Sequence, residues 1–225
     1  SSEESLSRIK SIVGIDIKNY NIDLCHLNLL EKVFDENPDI AGIIHFAALK
    51  AVGESVEEPI KYYKNNILGL LNILSCCKKF NIENLVFSSS CSVYGNAKKL
   101  PVNENTPLMP SESPYAETKV MAERIISDYA QANFIKTSLL RYFNPIGAHY
   151  SGLIGEAPKS NVQNIIPRLT GTVKGTYKEF KVWGNDYETR DGTCIRDYIH
   201  VSDIANGHTL AIEWLFKQKE TTVEV

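Results

Sequence analysis

Apolar residues along this chain switch between two periods. Residues 41–48 (AGIIHFAA) and 84–88 (NLVFS) are short, nearly continuous apolar runs, the pattern of strands buried on both faces of a parallel sheet. Residues 136–142 (KTSLLRY) predict another strand. Between these runs, 57–79 and 113–129 carry helical spacing, and 27–36 reads as a shorter helix that stops ahead of Pro38. Residues 1–13 predict a helix with an acidic first turn and Leu6, Ile9, Ile12 and Val13 on one face. Residues 15–22 predict a short first strand running into Asp23 and Leu24. Strand and helix alternating at this rhythm imply βαβ units with right-handed crossovers, hence an α/β protein with a doubly wound parallel sheet.

After Phe143, Asn144 and Pro145 the texture changes. Residues 147–160, rich in Gly, Pro and Ser, read as a long loop. Residues 165–174 then predict a helix, 179–183 and 194–200 short strands, and 202–216 a closing helix capped by Ser202. No internal repeat and no low-complexity tract interrupts the chain.

Chemistry concentrates at the start of the 113–129 helix. Ser113 can cap it, and Pro114 suits a first turn in which the missing N–H costs nothing. Tyr115 and Lys119 stand four residues apart and so share a face. An ammonium beside a phenol stabilises the phenolate, which would make Tyr115 a usable base near neutral pH. Ser90, at the end of the preceding strand, could hydrogen-bond the same substrate oxygen. Two fixed residues at one spacing are a weak signal by themselves. Their setting strengthens it: an apolar strand, a serine cluster, a loop and a capped helix.

In a doubly wound sheet, ligands bind at the carboxyl ends of the strands. That rule selects Asp23, residues 47–50, Ser88 to Ser90, and Tyr142 to Asn144 as the rim of one crevice. His45, inside an apolar strand, reads as a core residue and not as a base. Asn65 and Asn66 fit helix caps nearly as well as cofactor contacts. Glu123 and Arg124 read as a solvated face. Arg196, beside Asp197, suits either a local ion pair or a phosphate.

Composition narrows the field. The 225 residues are 43% hydrophobic and 23% charged, ordinary for a globular protein. With a formal net charge of −3 and scattered lysines and arginines, nothing favours nucleic acid or an acidic membrane as partner. No apolar run reaches the length of a membrane span. Five cysteines form no C-x-x-C pair and, with five histidines, no zinc spacing. Free thiols and a polar start, SSEESLSRIK, lead to the expectation of a reducing, cytoplasmic setting without a metal.

Taken together, HFAALKAVGES (45–55), YYKNN (62–66), FSSSCSVYGN (87–96), SPYAETK (113–119), LLRYFNPIGAH (139–149) and NDYETRDGTCIRDYIHVSDIANGH (185–208) resemble the UDP-glucose 4-epimerases. These are extended short-chain dehydrogenases/reductases with a Rossmann-like fold. The resemblance implies an isomerase that interconverts UDP-glucose and UDP-galactose with tightly held NAD, through transient oxidation at sugar C4. It implies Tyr115 as base, Lys119 on the nicotinamide ribose and Ser90 on the sugar oxygen. For the cofactor it implies Asp23 and Leu24 at the adenine and Phe46, Ala47 and Lys50 toward the pyrophosphate and nicotinamide. Asn65 joins them, and Tyr142 and Phe143 would touch nicotinamide or sugar. For the UDP-hexose it implies Asn144, Asn164, Trp183 and Arg196. It also implies a homodimer formed through helices near 65–79 and 115–131.

Departures from the family pattern are Ala48 for glycine, Cys91 for alanine, Glu117 for a basic residue and Trp183 for phenylalanine. The family's opening strand and G-x-x-G-x-x-G turn have no counterpart: Gly14, Gly42 and Gly53 stand isolated. The expectation is therefore an internal fragment, with 1–145 a truncated NAD-binding domain and 146–225 a partial UDP-sugar region plus closing helix. Such a piece would bind NAD poorly and turn over little. Dehydratases of the same superfamily carry an Asp-Glu pair after the serine strand, where this chain has Ser90, Cys91 and Ser92, which argues against elimination chemistry. Epimerases of UDP-glucuronate or UDP-N-acetylhexosamine remain open. A non-catalytic relative is disfavoured by the intact Ser90, Tyr115 and Lys119.

Overall fold

The computed structural model describes residues 3–156, 164–182 and 184–225. In chain order its elements are α1 (Glu3–Val13), α2 (Leu27–Asp35), β1 (Ile43–His45), α3 (Val52–Glu57), α4 (Pro59–Phe80), β2 (Asn84–Ser88), a 3-10 turn (Cys91–Tyr94), α5 (Pro114–Asn133), β3 (Lys136–Leu140), β4 (Asn144–Ile146), α6 (Ile165–Val173), β5 (Tyr198–His200), α7 (Val201–Lys217) and β6 (Thr222–Glu224). The chain forms two compact units. The larger comprises Asn19–Tyr142 and Asn206–Val225, the smaller Ser1–Lys18 and Phe143–Ala205.

The larger unit is built on a parallel sheet of order β1-β2-β3-β6. One register row runs Ile43, Leu85, Thr137, Val223, and another runs His45, Phe87, Leu139. All five residues of β2 are buried, as expected of a central strand covered on both faces. On one face Leu85, Phe87 and Leu139 meet Leu30 and Phe34 of α2, Leu70, Leu74 and Cys77 of α4, and Ala122, Ile126 and Ala130 of α5. The pleat sends alternate residues to the other face. There Ile212 of α7 lies so close to Gly42 that an added Cβ would sit 2.9 Å from it.

Local chemistry explains the helix boundaries. The helix expected over 57–79 is α4, opened by Pro59 at a position that needs no N–H, and the short α3 ahead of it is an additional helix. α4 ends where Asn81 takes a left-handed conformation (φ 56°), and α5 ends at Phe134 (φ 57°) in the same way. Ser113 caps α5 as expected, its hydroxyl accepting from the Ala116 N–H at 3.1 Å.

Several expectations need correction. Residues 15–22 form no strand, and Ile15 and Ile17 are exposed: a strand exists only through its ladder, and this segment has none. The strand expected over 41–48 is only Ile43–His45, and residues 179–182 are irregular. β6 was not foreseen. It pairs in parallel with β3, so the last residues belong to the sheet unit and not with residues 146–205. In the smaller unit β4 pairs in parallel with β5, and Arg8 of α1 donates to the Leu153 carbonyl at 3.0 Å. Among the described residues no helix is long and apolar enough to cross a membrane.

Candidate active site

Parallel pairing puts the carboxyl ends of β1, β2 and β3 on one side of the sheet, and the residues that follow them build the site. β2 ends at Ser88, and Ser90 then starts the 3-10 turn, its Oγ accepting from the Ser92 N–H at 3.2 Å. The Cys91 N–H donates to the Tyr142 carbonyl at 3.0 Å, tying the segment after β2 to the segment after β3. Ser88 Oγ and the Tyr142 hydroxyl lie 2.5 Å apart. From α5, Tyr115 faces Ser90, whose hydroxyl acts to lower the phenol pKa. One turn on, Lys119 Nζ donates to the Ser88 carbonyl at 2.7 Å and lies 4.7 Å from the Phe87 ring centre. The structure therefore brings Ser90, Tyr115, Lys119 and Tyr142 together.

The electrostatics differ from the expected phenol activation. Burial raises the Tyr115 pKa above its ordinary value, against the lowering effect of the Ser90 hydroxyl, and the neighbouring Tyr142 and Cys91 raise it further. Lys119 is only 6% exposed, and burial pushes its pKa down to about 8, with Glu123 acting in the opposite direction. Its ammonium is 6.0 Å from the Tyr115 ring centre and engaged with a backbone carbonyl. Desolvation is the largest influence on both groups, and Lys119 is not among the groups that shift the Tyr115 pKa.

Glu123 corrects a second expectation. It is 5% exposed, not solvated, while Arg124 does face solvent. Arg141, which follows β3, grips both Glu123 oxygens, with Nη2 to Oε2 at 2.7 Å and Nε to Oε1 at 2.9 Å. Ser89 donates to the same carboxylate. The spacing from Lys119 to Glu123, four residues on one helix, was the available signal for this residue. Asn65 and Asn66 both lie inside α4, so of their two readings the helix cap fails. Asn66 accepts from Leu49 N–H at 2.8 Å and donates to Leu49 C=O and Thr118 Oγ1 at 3.0 and 3.1 Å. Asn65 donates to Asn66 Oδ1 at 3.0 Å.

The remaining sites divide between the units. In the larger one, Asp23 Oδ1 accepts from the Cys25 N–H at 2.9 Å, which holds its carboxyl below the ordinary value. The Leu24 carbonyl accepts from Asn72 at 2.7 Å. Phe46 is 51% exposed against the His208 ring at 4.3 Å, and Ala47 and Lys50 are exposed. In the smaller unit Phe143 is half-buried, and Asn144 Nδ2 donates to the Asp197 carbonyl at 2.9 Å. There also Asn164 donates to Glu156, and the exposed Arg196 donates to the Ile195 carbonyl at 2.8 Å. Trp183 lies outside the described residues.

Whether these groups suit a dinucleotide can be judged from the segment after β1. Residues 46–51 are pinned through Leu49 by Asn66 and through the Ala51 N–H by Tyr62 at 3.1 Å, yet Phe46, Ala47 and Lys50 remain open to a ligand. With Tyr115 and Lys119 beside the neighbouring strand end, the residues fit the nicotinamide–ribose half of NAD. The sequence holds no glycine-rich turn to receive the pyrophosphate. Among the described residues no cluster of His, Cys, Asp and Glu could hold a metal ion.

The chain is similar to known proteins. The UDP-glucose 4-epimerase of Caenorhabditis elegans is 46% identical over 211 residues, covering 93% of this chain and 60% of that protein. The Bacillus subtilis UDP-glucose 4-epimerase is 46% identical over 214 residues, 95% of this chain and 62% of the relative. A crystal structure of the Bifidobacterium longum UDP-glucose 4-epimerase in complex with NAD+ and UDP superposes with a TM-score of 0.94 at 45% identity. It covers 100% of this chain and 66% of that one. The chain thus spans a little over three-fifths of the length of the curated relatives it matches. The family model described as "NAD dependent epimerase/dehydratase family" matches residues 1–225. With a parallel sheet whose strand ends gather a serine, a tyrosine and a lysine, the chain belongs to the NAD dependent epimerase/dehydratase family.

Proposed function

We propose that this chain carries the catalytic centre of a 4-epimerase acting on UDP-glucose and UDP-galactose, an isomerase that uses NAD. The observation that carries this reading is the convergence of Ser90 and Tyr115 at the carboxyl end of β2, with Lys119 one helical turn further on and bonded to the Ser88 carbonyl. Likeness to relatives named UDP-glucose 4-epimerase supports the choice of substrate.

Tyr115 takes the proton of the sugar 4-hydroxyl and returns it after the sugar has presented its other face. Ser90, beside the phenol, hydrogen-bonds the same sugar oxygen and holds it at the base. Lys119 binds ribose hydroxyls, and Phe46, Ala47, Lys50 and Asn65 line the approach of the cofactor, with Asp23 and Leu24 toward its adenine. Tyr142 and Phe143 border the ring of the nicotinamide or sugar. Asn144, Asn164, Trp183 and Arg196 contact the UDP-hexose, the arginine through phosphate oxygens. Bound NAD supplies a hydride acceptor and donor for sugar C4, and its cationic ring adds positive charge that favours the Tyr115 phenolate.

A second copy of the chain pairs with the first along α4 and α5, where Ile60 and Leu71 are 76% and 43% exposed. Light scattering after gel filtration tests this.

The deciding experiment measures interconversion of UDP-glucose and UDP-galactose with NAD supplied, alongside UDP-N-acetylglucosamine and UDP-glucuronate. Tyr115→Phe is expected to lose about 100-fold or more in kcat while UDP-sugar affinity stays within a few-fold. Turnover on any UDP-sugar that survives this substitution ends the reading.

A further inference from the structure

The buried ion pair behind the site has no role in the chemistry just described. Glu123 sits one turn beyond Lys119 on the same face of α5, and its carboxylate is shared by Arg141 and Ser89. Arg141 reaches further, to the Tyr94 hydroxyl and the Glu104 carbonyl, both at 3.4 Å, and lies over the Tyr94 ring at 5.2 Å. This one carboxylate therefore joins α5, the serine segment after β2, the 3-10 turn and the end of β3. These are the elements that present Tyr115, Lys119, Ser90 and Tyr142.

We infer that Glu123, held by Arg141, is a positioning residue of the Ser90–Tyr115–Lys119 site. It fixes the serine segment against α5 and supplies the negative charge that keeps Lys119 an ammonium ion. The inference deepens the epimerase reading and rests on it for its consequence in catalysis, but not for its physical content.

The charged and titratable groups around Lys119 can be named element by element. On α5 they are Tyr115 before it and Glu123 after it. On β1 there is His45, itself held neutral by burial and by the Lys119 charge. On β2 there are the Ser88 carbonyl and the Phe87 ring. After β3 come Arg141, which acts through Glu123, and Tyr142, bonded to Ser88. Of these, Glu123 is the group whose charge supports the ammonium against desolvation. Arg141 in turn weakens its field, so the pair sets the protonation of Lys119 in two opposing directions.

That opposition gives the test. The chain is made with lysine labelled at Cε, and the Lys119 signal, identified by its loss in Lys119→Met, is titrated by NMR. Glu123→Gln keeps the shape and the acceptor for Ser89 but removes the charge, and the Lys119 midpoint is expected to fall by roughly one pH unit. Arg141→Gln leaves the carboxylate unscreened, and the midpoint is expected to rise. Circular dichroism melting checks that each variant is folded, and each reads on its own if the other does not fold. A midpoint equal to that of the unaltered chain in either folded variant overturns the proposal. So does failure of both to fold, which would make the pair a scaffold only. The readout needs no turnover, so epimerase activity surviving in Tyr115→Phe would sink the functional reading and leave this result standing.

Discussion

Lys119 Nζ donates its 2.7 Å hydrogen bond to the main-chain carbonyl of Ser88, not to the phenol of Tyr115. The lysine thus anchors the helix that carries the base to the strand whose serines face it. The arrangement holds both titratable side chains in a desolvated place, where Tyr115 resists losing its proton and Lys119 resists keeping one.

A buried ammonium with a pKa near 8 weakens the fold. The unfolded lysine titrates at 10.5, so both states are charged below pH 8 and the full penalty applies there. Between 8 and 10.5 the unfolded state binds more protons and stability rises with pH. Lys119→Met is therefore expected to gain up to about 3 kcal/mol at pH 7, less about 1 for the lost hydrogen bond, with the gain vanishing toward pH 10.5. Urea melts across this range check it, and a difference independent of pH would contradict it.

His45 gives the same case at acid pH. Burial, aided by the Lys119 charge, lowers its pKa from 6.5 to about 4. Above 6.5 it is neutral in both states and costs nothing; as pH falls through 6.5 toward 4 only the unfolded state gains the proton, and stability is lost. The unaltered chain should lose about 3 kcal/mol more than His45→Phe over that interval. Parallel stability curves for the two proteins would remove His45 from the account.

Removing one partner of the Glu123–Arg141 pair should hurt far more than removing both. Their side chains are 6% and 10% exposed, so Glu123→Ala leaves a nearly buried guanidinium without its carboxylate, at a cost of about 3–5 kcal/mol. Glu123→Leu combined with Arg141→Met should cost at most about 2 kcal/mol. Denaturant midpoints of the single and double variants decide between coupling and simple additivity.

Ser113→Ala deletes the acceptor of the Ala116 N–H at the first turn of α5. A loss of about 1 kcal/mol is expected. Amide exchange should quicken first at residues 115–117, since a cap acts within its own turn. Unchanged exchange there would show that tertiary packing alone fixes the start of the helix.

Features that depend on near neighbours along the chain were readable from the residues alone. β2 was legible because five consecutive buried positions suit a strand covered on both faces, and α5 because Ser113 and Pro114 mark its start. The shared face of Tyr115 and Lys119 follows from helical geometry alone. Tertiary structure decided what depends on partners distant in sequence. Residues 15–22 look like a strand but find no ladder, whereas residues 222–224 become one because β3 has a free edge for them. Glu123 looks like a surface residue until Arg141 and Ser89 enclose it. The direction of the Lys119 and Tyr115 pKa shifts could not be read from their spacing, since attraction acts between the two while desolvation comes from everything packed around them.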